Sequence, residues 1–188
     1  LLRKGKTKPS AYFAVNTIFA AYSKEENMLS DSRNKLIIAF IVLGALSRLI
    51  PHPLNFTPVA AMALFGGTYL LNRRQAFLVP ISVMFLSDTL LELVNGSGYH
   101  PEMIWVYGSV LLITCIGFLL RNREQRQNIM VASLTGSILF FFITNFGTWT
   151  TGMYGYTLEG LRNCYVAAIP FFRGTIMGDL FYNTVLYH

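Results

Sequence analysis

The sequence predicts an all-α polytopic membrane protein, a bundle of about six transmembrane helices with both termini in the cytoplasm. Three observations predict it: composition, the spacing of apolar runs, and the placement of basic residues. Of the 188 residues, 53% are hydrophobic and 13% charged, with a mean hydropathy of +0.46, whereas soluble domains carry about a quarter charged residues. Apolar runs fall at 35–50, 58–71, 75–94, 103–120, 129–146 and 164–187. Seven lysines and arginines precede residue 36, and Arg73, Arg74, Arg121, Arg123 and Arg126 occupy two later connections. The intervening connections 51–57 and 95–102 hold none, and 147–163 holds only Arg162. That alternation puts the basic side in the cytoplasm by the positive-inside rule. The net charge of +6 is then a topology signal, and no nucleic-acid module accompanies it.

Residues 1–34 read as a polar N-terminal tail ahead of a transmembrane domain over 35–188. The apolar patch AYFAVNTIFAAY is too short to span a bilayer and lacks signal-peptide features. Lys-Glu-Glu-Asn directly before Met28 can be encoded by a purine-rich ribosome-binding site, so Met28 is one expected start, with the first 27 residues as translated leader. A native, disordered basic tail is the other expectation.

A spanning helix needs roughly 17–25 apolar residues, so the first two runs are the shortest of the set. Between them lies the insert SRLIPHPLNFTPVAA, with Arg48, His52, Asn55 and three prolines. Proline fixes the backbone and cannot continue a helix interior. The insert is therefore expected to be extended at the outer mouth, with Asn55 or Thr57 capping a helix that starts at Pro58 and either residue available to a ligand.

In the third run Asp88 and Glu92, four residues apart, share one helix face. Ionisable groups in a span face the bundle interior or a watery cavity and pair with something. Arg48 lies at a matching depth, and an Arg48–Asp88 pair is expected, with Glu92 nearer the mouth. A plainer reading has Glu92 and Arg48 reaching headgroup water, which leaves only Asp88 to explain.

Cys115 in the fourth run reads as a small buried residue, and Cys164, opening the sixth, as the more accessible thiol. Two cysteines make no framework. His52 and His100 would need Asp88 or Glu92 to complete a metal site, and no metal, cofactor or catalytic residue is assigned. Ala63/Gly67, Ala132/Gly136, Ser133/Ser137 and Gly174/Gly178 are small-xxx-small pairs that allow close helix approach.

Segment 145–165, with Asn145, Trp149, Tyr154 and Tyr156, suits either an aromatic belt at the membrane surface or a ligand lid. Arg173 and Asp179 sit six apart in the last run and do not share a face, so each needs its own partner. Pro170 and Gly174 bracket Arg173, and a kink there would aim it into a cavity.

The stretches RLIPHPLNFTPVAAMALFGG, Ser87-Asp88 and TNFGTWTTGMYGYTLEGLRNCYVAAIPFFRGTIMGDLFYN resemble a family of small bacterial integral membrane proteins with a domain of unknown function. The likeness covers most of 35–187 and implies the fold and a multi-pass location in the bacterial inner membrane; it implies no reaction. In size, six-helix layout and outward loops the chain is also similar to the S components of energy-coupling factor transporters, which bind vitamins and metal ions. Its first span carries no AxxxA coupling motif.

The leading expectation is a membrane-embedded protein for binding or uptake of a small nutrient. Arg48, His52, Asn55, Asp88 and Glu92 would line its pocket, Asn145 and Arg173 would sit deeper, and Trp149, Tyr154 and Tyr156 would cover it. Its partners would be the lipid bilayer, a small-molecule ligand, and an energising membrane subunit with an ATPase. A structural or assembly subunit without ligand is the alternative. An intramembrane enzyme using Asp88 and Glu92 as acid and base comes last, since no nucleophile and activating base stand at recognisable spacing.

Overall fold

The structure, a computed structural model, describes residues 32–51, 53 and 55–188. Expectations for residues 1–31, the Met28 start included, and for His52 lie outside the described residues. Contacts divide the chain into two units, Leu1–Phe40, of which 32–40 are described and helical, and Ile41–His188, which carries the interior and both cavities.

Six helices and no strand occur among the described residues: α1 over 32–47, α2 Val59–Tyr69, α3 Arg73–Asn95, α4 Met103–Leu119, α5 Arg126–Thr150 and α6 Leu158–Tyr187. All six apolar runs are helical. Paired residues give the directions. Asp88 meets Tyr107 and Phe77 meets Phe118, so α3 and α4 are antiparallel. Trp105 with Phe146 and Ile113 with Gly136 set α4 against α5. Ser133 with Asn183 and Ser137 with Asp179 do the same for α5 and α6.

What faces inward is small or polar. The buried positions of α5 are Ala132, Ser133, Gly136, Ser137 and Gly147. Those of α6 are Gly160, Cys164, Ala168, Thr175, Gly178, Asp179 and Asn183. Large apolar side chains such as Leu78, Phe85, Ile104, Phe142, Ile169 and Met177 lie on the outside. Two helices, α3 and α5, are long and apolar enough to cross a membrane, yet only 33% and 22% of their apolar windows are buried. A core helix of a water-soluble fold would hide most of that surface. Helices that pack through small residues and leave large apolar ones outside match lipid as the surrounding solvent.

Two ends differ from the sequence reading. Helix α5 continues to Thr150 and α6 starts at Leu158, so the expected 147–163 loop shrinks to the turn 151–157. The residues expected in a loop are polar but hide their hydroxyls. Thr148 Oγ1 donates to the Thr144 carbonyl at 3.2 Å, and Thr150 Oγ1 to that of Gly147 at 2.6 Å, which lets threonine stay in a helix. Thr157 caps α6 by accepting from Gly160 N at 3.0 Å. Pro170 does not break α6, which runs unbroken through it.

The cap expected on α2 is absent. Its N-cap is Pro58, with no side-chain hydrogen bond. Asn55 instead takes a left-handed φ of 61° in a turn closed by Phe56 N donating to the Pro53 carbonyl at 3.0 Å. The thiols also reverse. Cys115 is exposed and Cys164 buried, because Cys115 falls on the outward face of α4 while Cys164 Sγ donates to the Asn145 carbonyl at 3.3 Å.

The closest crossing joins α2 and α4. A Cβ on Gly67 would overlap the Thr114 carbonyl oxygen and stand 2.9 Å from Gly117 Cα, and one on Gly117 would overlap the Leu64 carbonyl oxygen. Gly117 is the half of this contact that no small-xxx-small pair revealed. Arg121 sits beside it, donating through Nε to the Gly67 carbonyl at 2.9 Å and through Nη2 to that of Leu70 at 2.7 Å, so it satisfies carbonyls left open at the C-terminus of α2. Gly117→Val is expected to abolish the monodisperse folded protein in detergent size exclusion. Gly108→Ala, where a Cβ meets nothing within 4 Å, should raise stability by about 0.5–1 kcal/mol in thermal or denaturant melts.

Candidate functional site

At the end of the bundle that carries the 48–58 and 96–102 connections, three helix segments are tied by one carboxylate. Arg48, in the turn after α1, donates through Nη1 to Asp88 Oδ1 at 2.5 Å, and Tyr107 of α4 donates to Oδ2 at 2.7 Å. Asp88 is 3% exposed. The same Nη1 donates to Ser87 Oγ and faces Met84 Sδ at 3.5 Å. Ser87 in turn donates back to the carbonyls of Val83 and Met84. The expected Arg48–Asp88 pair is therefore present, with both carboxylate oxygens satisfied. A buried pair needs this, since removal of either partner strands the other charge.

Glu92 does other work. Its Oε2 accepts from Gly98 N at 3.0 Å and Tyr99 N at 3.2 Å, which folds the α3–α4 connection back onto the end of α3. Gly98 lies so close that a Cβ there would overlap the Asp88 carbonyl oxygen.

Beside the Arg48 knot a cavity of about 310 Å³ opens. Of the residues expected to line it, Arg48, Asn55 and Asn145 do so. Asp88 stands behind Arg48, and Glu92 holds the neighbouring connection. Arg173 is exposed on α6. It shares the outward stripe of Ile169 and Met177, which are 54% and 64% exposed, because an unbroken helix turns position 173 about 100° from 172. Trp149, Tyr154 and Tyr156 are absent from the lining. Trp149 is helical, with Nε1 donating to the Gly155 carbonyl at 2.9 Å, and Tyr156 is 71% exposed against it.

Sequence reasoning missed several lining residues. His100 stands at the mouth, where its Nδ1 lies 3.1 Å from Glu102 Oε2. Thr144, Thr148 and Thr175 add hydroxyls to that of Thr57, which the sequence offers to a ligand, and Phe140, Phe141, Phe171 and Phe172 add aromatic rings, those of Phe141 and Phe172 4.6 Å apart. On the floor is Asp179, 4% exposed.

Asp179 belongs to a polar ladder between α5 and α6. Ser137 Oγ donates to Asp179 Oδ2 at 2.5 Å. One turn along, Asn183 Nδ2 donates to Ser133 Oγ at 2.9 Å and to the Asp179 carbonyl at 2.8 Å. The signal for this is present in the sequence as two facing pairs four apart, Ser133/Ser137 and Asp179/Asn183. Only the first stands out there, and as small residues. Asn183 and Ser133 also line a second cavity of about 230 Å³ with Tyr187 and His188, and Asn183 Oδ1 is buried there with no partner among the described residues.

The cavity thus combines a guanidinium neutralised by its own carboxylate with amides, hydroxyls, phenyl rings and a second carboxylate. Among the described residues, no nucleophile with an activating base is assembled in it. Asp88→Leu is expected to destabilise by about 3–5 kcal/mol, whereas the double variant Arg48→Met/Asp88→Leu should recover most of that loss. Melting temperatures of these two, of Arg48→Met and of the unmodified protein complete the cycle, and additive losses would show that the pair is not coupled. No curated protein and no solved structure matches the chain. A family model, described as a family of unknown function (DUF6580), matches residues 29–188. That span is most of the chain, and the protein belongs to this family.

Proposed function

We propose that the protein is a multi-pass membrane protein that binds a small molecule for uptake, in the manner of a transporter S component, with its cavity on the outer side. One observation carries the reading: a cavity of about 310 Å³ that combines aromatic walls with a few polar groups held on helices. Ligand sites have this size and mixture. A bundle built only for support closes such a space, because unfilled volume forfeits packing.

The orientation rests on the basic residues. Arg73, Arg74, Arg121, Arg123 and Arg126 sit in connections or first turns at the end opposite the cavity mouth, which supports an outward-facing mouth under the positive-inside rule. Active uptake would need a separate energising membrane subunit and ATPase, since no phosphate-binding loop is encoded in the chain.

A second reading, a structural subunit without ligand, draws on the Arg48–Asp88–Tyr107 contacts, which are satisfied within the protein. Native mass spectrometry of protein purified in mild detergent separates the two. The binding reading expects a small molecule released on collisional activation from the unmodified protein. It also expects none from Ala60→Trp, which fills the cavity from α2, with a melting temperature changed by less than about 3 °C. Nothing released from the unmodified protein, together with a stabilising effect of Ala60→Trp, would support the structural subunit.

A further inference from the structure

Charge in the cavity does not balance. Arg48 is neutralised by Asp88, which leaves Asp179 as the unmatched formal charge among the lining residues. No lysine, arginine or histidine among the described residues lies within ion-pair distance of it. Ser137 takes Oδ2. Oδ1 accepts no hydrogen bond from the described residues, yet it is not among the sealed, unpartnered polar atoms, so it opens onto the cavity that Asp179 lines.

An isolated carboxylate taken from water into apolar surroundings is strongly unfavourable unless a cation or donor meets it or it takes up a proton. Here the missing group has room to arrive from the cavity. Phe141, Phe171 and Phe172 line the same cavity as Asp179. Phenyl faces attract ammonium ions and repel anions, most strongly where water is excluded. The bond from Ser137 Oγ to Oδ2 holds the carboxylate on one side and leaves Oδ1 available to a ligand.

Resting on the binding reading above, we propose that the cavity selects a small organic ammonium ion, with its charged nitrogen on Asp179 Oδ1 and its apolar part against the phenylalanines. Neutral analogues would lose the charge-assisted bond, and anions would meet Asp179 as a like charge.

Three probes of similar size test this on the full chain in lipid nanodiscs: 2-phenylethylammonium, 2-phenylethanol and 3-phenylpropanoate. A saturable rise in melting temperature with the ammonium alone, its affinity falling at least roughly tenfold in Asp179→Asn, is the expected result. Equal or stronger binding of the alcohol or carboxylate, or an ammonium affinity unchanged in Asp179→Asn, overturns the assignment and leaves the binding reading intact.

A second pair of variants needs no ligand and covers an Asp179→Asn protein that does not fold. Thr175 lines the cavity one turn before Asp179, so Thr175→Lys supplies an internal ammonium and Thr175→Met a chain of similar length without charge. Thr175→Lys is expected to melt at least about 3 °C above Thr175→Met and to lose the ammonium probe. Equal melting of the two shows that Asp179 seeks no cation and overturns the proposal, whatever the probes do. Release of a retained molecule on collisional activation decides the binding reading separately.

Discussion

The bonds of Asp88 hold the mouth of the bundle in shape. Its two oxygens reach α1's trailing turn through Arg48 and α4 through Tyr107, so one buried group on α3 fixes three segments at once. Carboxylate bonds to a guanidinium and a phenol are charge-assisted and short. In surroundings with little water each is stronger than it would be at an exposed surface. With Arg48 anchored in this way, its charge is spent within the protein, and the cavity beside it is left with the character that Asp179 gives it.

The interior follows the same economy of polar groups. Helices α5 and α6 meet through Ser133, Ser137, Asp179 and Asn183 and through the rings of Phe141 and Phe172, while many other large apolar side chains lie on the outside. Burial of oily surface away from water cannot hold such helices together when the outside is oily too. Close backbone approach and hydrogen bonds between helices then supply the attraction. Gly67 against Gly117 provides the first, and the Ser137–Asp179 and Ser133–Asn183 bonds the second.

All six helices are legible as apolar runs, since hydropathy over a window registers helices whose residues are mostly apolar. The Arg48–Asp88 pair is legible as well, because a charge in an oily segment demands a partner and depth narrows the choice. Helix ends are less so. Residues 147–150 and 158–163 are polar and look like loop, but threonine back-bonding and the Thr157 cap hold them helical. The site itself is partly visible. Arg48, Asn55 and Asn145 are found, whereas Glu92, Arg173 and the 149–156 aromatics are drawn in by residue type. Their helix faces and local hydrogen bonds send them elsewhere. Asp179 stands out as a charge without a place at the cavity floor, because facing sides of α5 and α6 cannot be paired from one sequence.

The brevity of α2 has a geometric consequence. Eleven residues extend about 16 Å, while the 30 residues of α6 extend about 45 Å. A chain that climbs only a third of its neighbour's height must begin well below its rim. The Phe56–Thr57 backbone accordingly rests on Gly178 of α6, nine residues from the far end of that helix. Hence the turn that carries Asn55 joins the cavity lining at the level of Gly178, next to Asp179.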